Sequence, residues 1–133
     1  MSVQTDFYTI IPYKNLLFIK TFLSWDEIVA KNCIDDVSRI VSTLYQKNPY
    51  AILADRTEWQ LNTPEAEQLF TTITETVITR TLTHSAIVVG NSKVKKWQVN
   101  RMIEGAKTYE TKIFVKMTDA QAWLASFGYQ MET

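Results

Sequence analysis

Two short apolar runs, Tyr50-Ala51-Ile52-Leu53-Ala54 and Ser85-Ala86-Ile87-Val88-Val89, restrict what this chain can fold into more than any other feature. Neither alternates between apolar and polar residues, as a strand with one wet face would. A continuous apolar run of this length marks a strand covered on both sides, as in a parallel sheet with helices packed against it. Turn chemistry and a helical pattern follow each run. Asp55 ends the first, and after a polar stretch Thr63-Pro64-Glu65 opens a helix with Thr63 as its cap and Pro64 at the first helical position. Gly90-Asn91-Ser92 ends the second and caps another helix. The reading is a central strand at Tyr50 to Ala54 followed by a loop from Asp55. Loops at the carboxyl ends of strands are where open α/β sheets bind ligands and partners. Asp55, Arg56, Thr57, Glu58 and Trp59 are therefore expected on a working edge.

The remaining segments fit the same plan. Phe7 to Ile11 and Leu16 to Phe22 are rich in β-branched and aromatic residues and flank the turn Pro12-Tyr13-Lys14-Asn15, which predicts an antiparallel hairpin. Ser24-Trp25-Asp26-Glu27 reads as a capping box ahead of a helix with Ala30, Cys33, Ile34, Val37, Ile40, Val41 and Leu44 on one face. Ala66, Leu69, Phe70, Ile73 and Val77 form the stripe of the next helix, and Trp97, Val99, Met102, Ile103 and Ala106 that of the third. Lys112 to Val115 is a last strand. Thr118-Asp119-Ala120-Gln121 resembles a second capping box, and Ala120, Trp123, Leu124 and Phe127 form the buried face of a closing helix that ends near Gly128. The order ββαβαβαβα predicts an α/β fold: one mixed, mostly parallel five-stranded sheet with about four flanking helices. An edge strand at Phe7 to Ile11 would offer a route to a homodimer by pairing across a two-fold axis.

At 133 residues the chain is expected to form a single domain over 1–133, large enough to bury a core without disulfides or metals. Fourteen basic and fourteen acidic residues cancel, so no overall field draws in nucleic acid or anionic lipid. No segment reaches the roughly 18 apolar residues of a membrane span. The opening residues lack the basic and apolar regions of a signal peptide, and with a lone Cys33 the cytoplasm is the expected compartment.

Few residues suggest catalysis. His84 is the only histidine and Cys33 the only cysteine, so a common zinc set cannot be assembled and a Ser-His-Asp or Cys-His apparatus would have to use His84. Cys33 lies on an apolar helical stripe, where a small buried thiol is expected. Asp26, Glu27, Asp55, Ser92 and Lys116 mimic a receiver-domain pocket, but only one helix fits between Glu27 and Asp55, where receivers place two. No enzyme activity, metal or cofactor is expected. Gly90, Asn91, Ser92 and Lys93 lead into a helix N-terminus carrying further lysines, a candidate anion site that lacks the glycine spacing of a nucleotide loop. Trp59, in a polar stretch, reads either as an anchor for a partner or as a lid folded over the core.

Several stretches together resemble the SpoIIAA-like branch of the STAS (anti-sigma-factor antagonist) superfamily. They are the two-strand opening, Leu53-Ala54-Asp55-Arg56 at a strand end, Ala86-Ile87-Val88-Val89-Gly90, and Ile113-Phe114-Val115 followed by Ala120-Gln121-Ala122-Trp123-Leu124. The resemblance spans nearly the whole chain and implies a compact α/β domain that acts through protein contacts without catalysis. Regulatory members carry a phosphorylated Ser or Thr within an Asp-Ser-Ser-Gly-like motif after the central strand. The resemblance places Thr57 at that position, within Asp55-Arg56-Thr57-Glu58-Trp59. Arg56 replaces the first serine and no glycine follows, so Arg56 would instead offer a contact to an anionic group. Two functions follow as expectations: a non-enzymatic regulatory or protein-interaction module, or a carrier holding a small molecule or lipid in an apolar pocket between sheet and helices.

Overall fold

The computed structural model describes residues 1–72, 76–103 and 108–132. The opening hairpin forms as the sequence predicts: β2 (Tyr8–Pro12) and β3 (Leu16–Trp25) pair antiparallel, with Pro12 opposite Leu17. Ahead of them β1 (Val3–Gln4) lies along the outer side of β2, Val3 opposite Ile10. Phe7 to Ile11 is therefore not the free edge expected, and two copies pairing along it would have to displace β1. Helix α1 (Glu27–Leu44) leads to β4 (Tyr50–Asn62), and α2 (Pro64–Thr71) with the short α3 (Val77–Arg80) to β5 (Leu82–Val88). Helix α4 (Lys93–Ile103) precedes β6 (Glu110–Phe114), and α5 (Met117–Ala125) closes the fold. The spatial order of the six strands is their order in sequence, and β3 to β6 run parallel. The mixed, mostly parallel sheet is as predicted, with β1 and α3 added to the expected five strands and four helices.

This topology decides which face each helix covers. When parallel strands are added in one direction, right-handed crossovers all return over the same side of the sheet. Accordingly α1 to α4 contribute Cys33, Ala66, Ile78 and Val99 to one core, together with Trp25, Trp59 and Tyr50. On the other side α5 packs Ala120 and Leu124 against Leu16, Ala51, Leu53, Ala86 and Val88. Neighbouring residues of β4 divide between the two: Ala51 and Leu53 face α5, whereas Ile52 and Ala54 face the four helices.

Two helix starts differ from the sequence reading. Ser24 stays in β3, where its hydroxyl bonds Gln60 Oε1 at 2.9 Å, because that strand keeps its partner as far as Trp25. Asp26 caps α1 instead, its Oδ1 accepting from the Val29 N–H at 2.9 Å. Thr118 falls inside the first turn of α5, whose cap position is Lys116 with no side-chain bond. Thr63 and Ser92 cap α2 and α4 as expected, accepting from Ala66 and Lys95. Trp97 faces solvent beneath Arg101, and Phe127 is also exposed, contrary to the expected stripes. Ile73 and Ala106 lie outside the described residues.

The largest departure is at the segment expected to be a loop. β4 does not end at Asp55 but continues to Asn62, because β3 runs on beside it and keeps pairing: Lys20 with Asp55, Phe22 with Glu58, Leu23 with Trp59 and Trp25 with Asn62. Two register shifts accommodate the curvature, and Leu23, at the second, takes a left-handed backbone with φ of 62°. β5 ends opposite Asp55 at Val88, which strips the far half of β4 of its second neighbour. Side chains of α4 take that neighbour's place. Lys95 Nζ donates to the carbonyls of Arg56 and Thr57 at 3.3 and 2.9 Å. The buried Gln98 amide accepts from the Asn62 N–H at 3.0 Å and donates to the Asn62 carbonyl at 3.1 Å, reproducing a strand's two bonds. Exposed edges invite pairing with other chains, and these contacts close this one.

Replacing Gln98 with alanine leaves both backbone groups of Asn62 buried and without these partners. The expected cost is about 2–4 kcal/mol, read as a lower denaturation midpoint at unchanged slope. Lys93→Ala, at an exposed position of the same helix, is expected to change stability by less than about 0.5 kcal/mol.

Candidate functional site

Between the sheet and the four helices lies a chamber of about 130 Å³. The period of two along each strand builds its floor: Ile19 and Thr21 from β3, Ile52, Ala54 and Arg56 from β4, Ser85 and Ile87 from β5. Cys33, Ile34 and Val37 of α1 form the opposite wall, with Phe70 of α2, Ile78 of α3 and Tyr109 completing the lining. The space exists because small residues meet there. Ala54, Ser85 and Cys33 stand where bulkier side chains would fill the gap between sheet and helix.

Among the described residues Arg56 is the one charged side chain in this lining. It is 8% exposed, and its Nε and Nη1 are buried without a hydrogen-bond partner. No carboxylate pairs with it among the described residues. What it has instead are rings: its guanidinium carbon lies 4.7 Å from the centre of Trp59 and 5.7 Å from that of Phe70. A desolvated cation over an aromatic face gains about 2 kcal/mol, against a burial penalty of several kcal/mol. Burial pulls the guanidinium down to about 10, the neighbouring Cys33 opposing this, so Arg56 is cationic at neutral pH. Because this lies below the value in an unfolded chain, the stability penalty is fully present below about pH 10 and lifts only as pH rises beyond it. Cys33 feels the same surroundings: burial pushes its thiol up to about 12, with the charge of Arg56 acting the other way.

The five residues expected on one loop are thus divided by the strand. Trp59 is completely buried and supports Arg56 from below. Asp55 is also buried, its Oδ1 accepting from the Thr57 N–H at 3.0 Å and the Thr57 hydroxyl at 2.7 Å. Thr57 and Glu58 are exposed, and Glu58 pairs with Lys20 across the strands at 2.8 Å. At the Gly90-Asn91-Ser92-Lys93 turn, Gly90 adopts a φ of 67° and Ser92 caps the helix. The nearby Lys95 is committed to the β4 carbonyls. His84 faces the other side of the sheet, stacked on Phe127 at 3.9 Å and edge-on to Trp123 at 5.4 Å. The sheet therefore separates it from Cys33, and the two cannot act as nucleophile and base. No group of metal-ligating side chains forms among the described residues.

An apolar pocket between sheet and helices was among the expectations, but its lining by Thr21, Cys33, Arg56, Ser85 and Tyr109 was not. The parity of Ile52, Ala54 and Arg56 was the available signal, and it becomes readable only once β4 is known to continue past Asp55.

Arg56→Met keeps the unbranched apolar stem of the side chain and removes the unpaired charge. We expect it to raise the stability of ligand-free protein at pH 7 by about 1–3 kcal/mol. Trp59→Ala, which hollows out the support, should cost about 3–5 kcal/mol. Both are read from denaturant midpoints. Cys33 should react with iodoacetamide at pH 8 at least about tenfold more slowly in the folded chain than in urea.

No protein-family model matches the chain, and no curated protein matches it. Solved structures superpose on almost all of it. An uncharacterized protein of the DUF3478 family with a SpoIIAA-like fold, from Shewanella loihica PV-4, aligns with a TM-score of 0.66 over 93% of this chain and 98% of its own, at 16% identity. The anti-sigma factor antagonist SpoIIAA in its unphosphorylated form aligns with a TM-score of 0.58 over 91% of this chain and 98% of its own, at 8% identity. With its mostly parallel sheet, four helices on one face and a closing helix on the other, this chain has the SpoIIAA-like fold.

Proposed function

We propose that this protein is a non-enzymatic binding module of the SpoIIAA-like fold whose chamber between sheet and helices holds a small, largely apolar molecule. The observation that carries the reading is Arg56, a buried polar side chain without a partner at the wall of an apolar space. Native proteins rarely leave such groups unmatched unless function uses them. Ligand sites share this composition, mostly apolar with a few placed polar groups. The volume limits the occupant: an apolar cavity of about 150 Å³ takes a benzene ring, so a single ring or a short branched chain fits where a long acyl chain does not. In this reading the module works in the cytoplasm, and no helix among the described residues is long and apolar enough to cross a membrane.

A second reading, a protein-interaction module, draws on the exposure of Thr57 and Glu58. They follow Arg56 directly on β4 but face solvent, where a protein partner would meet them. The likeness of fold to an anti-sigma factor antagonist supports this reading. A phosphate on Thr57 would displace its hydroxyl from Asp55 and bring about two negative charges beside Asp55 and Glu58.

Native mass spectrometry of gently purified protein, joined to thermal shift with neutral and anionic single-ring compounds, tests the chamber. Wild type is expected to carry a small noncovalent mass or to gain about 2 °C or more with at least one compound. Ala54→Leu, which fills the floor, should lose either effect. A clean mass, together with no shift for any compound, overturns the chamber reading. Partner capture that survives Thr57→Ala combined with Glu58→Ala overturns the second.

A further inference from the structure

Among the described residues the chamber presents one cation in an otherwise uncharged lining, and that asymmetry narrows what can sit there. An apolar molecule alone would fill the space and leave the charge of Arg56 without a partner. An inorganic anion would balance that charge and leave Ile19, Ile52, Val37 and Ile87 facing a poorly matched, strongly hydrated neighbour. A molecule with an acceptor-rich anionic head and a compact apolar body satisfies both. Resting on the chamber as a ligand site, we infer that its ligand is a small monocarboxylate with an apolar body of about one ring, its carboxylate paired with Arg56.

Charge, size and geometry agree on this class. A carboxylate brings one negative charge to one guanidinium, whereas a phosphate monoester near neutral pH brings nearly two and would bury the excess without a partner. Among the described residues no lysine, histidine or second arginine lines the chamber to balance it. Carboxylate oxygens lie in one plane and match a guanidinium's in-plane N–H groups, and such charge-assisted bonds are about twice as strong as neutral ones. The guanidinium carbon lies 4.7 Å from the centre of Trp59 and 5.7 Å from that of Phe70, rings that carry no counter-charge to compete with a carboxylate. A volume of about 130 Å³ suits a benzoate-sized molecule.

The test compares matched pairs, benzoate with benzamide and cyclohexanecarboxylate with its amide, and adds inorganic phosphate. Calorimetry gives affinities, and the Arg56 Nε–H resonance reports the contact. Wild type is expected to bind at least one carboxylate at least about tenfold tighter than its amide, with a downfield shift of that resonance. In Arg56→Met the preference should shrink to within about twofold while the amide still binds. Arg56→Gln carries the same comparison should the Met variant not fold. Amides binding as tightly as the acids in wild type would overturn the carboxylate assignment and leave the chamber reading intact. A preference that survives in both variants, or phosphate binding in place of the carboxylates, would overturn it equally. If neither acids nor amides bind, the chamber reading falls with it.

Discussion

The continuation of β4 beyond the point where β5 stops is the constraint on which the rest of this structure depends. Up to Asp55 the strand has a parallel neighbour on each side; from Arg56 onward it has β3 alone. Extended backbone fixes side-chain direction by parity, so continuing the strand carries Arg56 to the same face as Ile52 and Ala54. A loop at this position would have left the guanidinium free to turn to water. The strand takes that freedom away and sets a cation into the principal core, with Trp59 packed beneath it. The same extension creates a bare strand edge, and α4 answers with Lys95 and the Gln98 amide. Pocket, buried charge and closed edge thus share one origin.

Energetically the arrangement is uneven. The core gains from the burial of Trp25, Trp59, Tyr45 and Tyr50, the last two stacked at 4.6 Å, with the Tyr50 hydroxyl bonded to the Ile78 carbonyl at 2.6 Å. Against this stand an unmatched guanidinium and a chamber where contacts are lost, both in one place. Marginal stability makes such concentrated losses conspicuous, because a few kcal/mol is a large share of the total. Losses of this kind cluster where a chain reserves groups for a ligand rather than for its own packing. A ligand that pairs Arg56 and fills the space returns both losses at once, so occupancy and stability are tightly linked here.

Much of the fold was legible because it rests on local signals. The apolar runs at Tyr50 to Ala54 and Ser85 to Val89 identify buried strands, and Thr63-Pro64 and Ser92 mark helix starts by their chemistry. What escaped depends on tertiary partners. Asp55-Arg56-Thr57-Glu58 is polar and reads as a loop; it stays extended because β3 is long enough to pair with it and α4 guards its edge. Ser24 reads as a cap for the same reason in reverse, since the strand that claims it cannot be seen from its neighbours alone. Arg56 stood out in the sequence as a contact for an anionic group, and the strand moves that contact from the surface to the interior. A pocket between sheet and helices could be expected in general terms, but its position had no signature, because Ala54, Ser85 and Cys33 are ordinary residues until the fold sets them together.

The two readings of function meet on a single stretch of backbone. Arg56 faces the chamber, and Thr57 and Glu58, next along the strand, face water; one peptide unit joins the inner group to the outer surface. Lys95 bonds the carbonyls of both Arg56 and Thr57, so one side chain ties the residue that faces the chamber to the one that faces water. A protein partner that senses the outer face would then bind with an affinity that depends on the chamber's occupant. By linkage, the occupant's affinity would depend equally on the partner. Such coupling needs no long pathway through the domain. It requires only that ligand and partner favour different positions of the same strand segment, the one part of the sheet whose second edge is held by side chains rather than by a neighbouring strand.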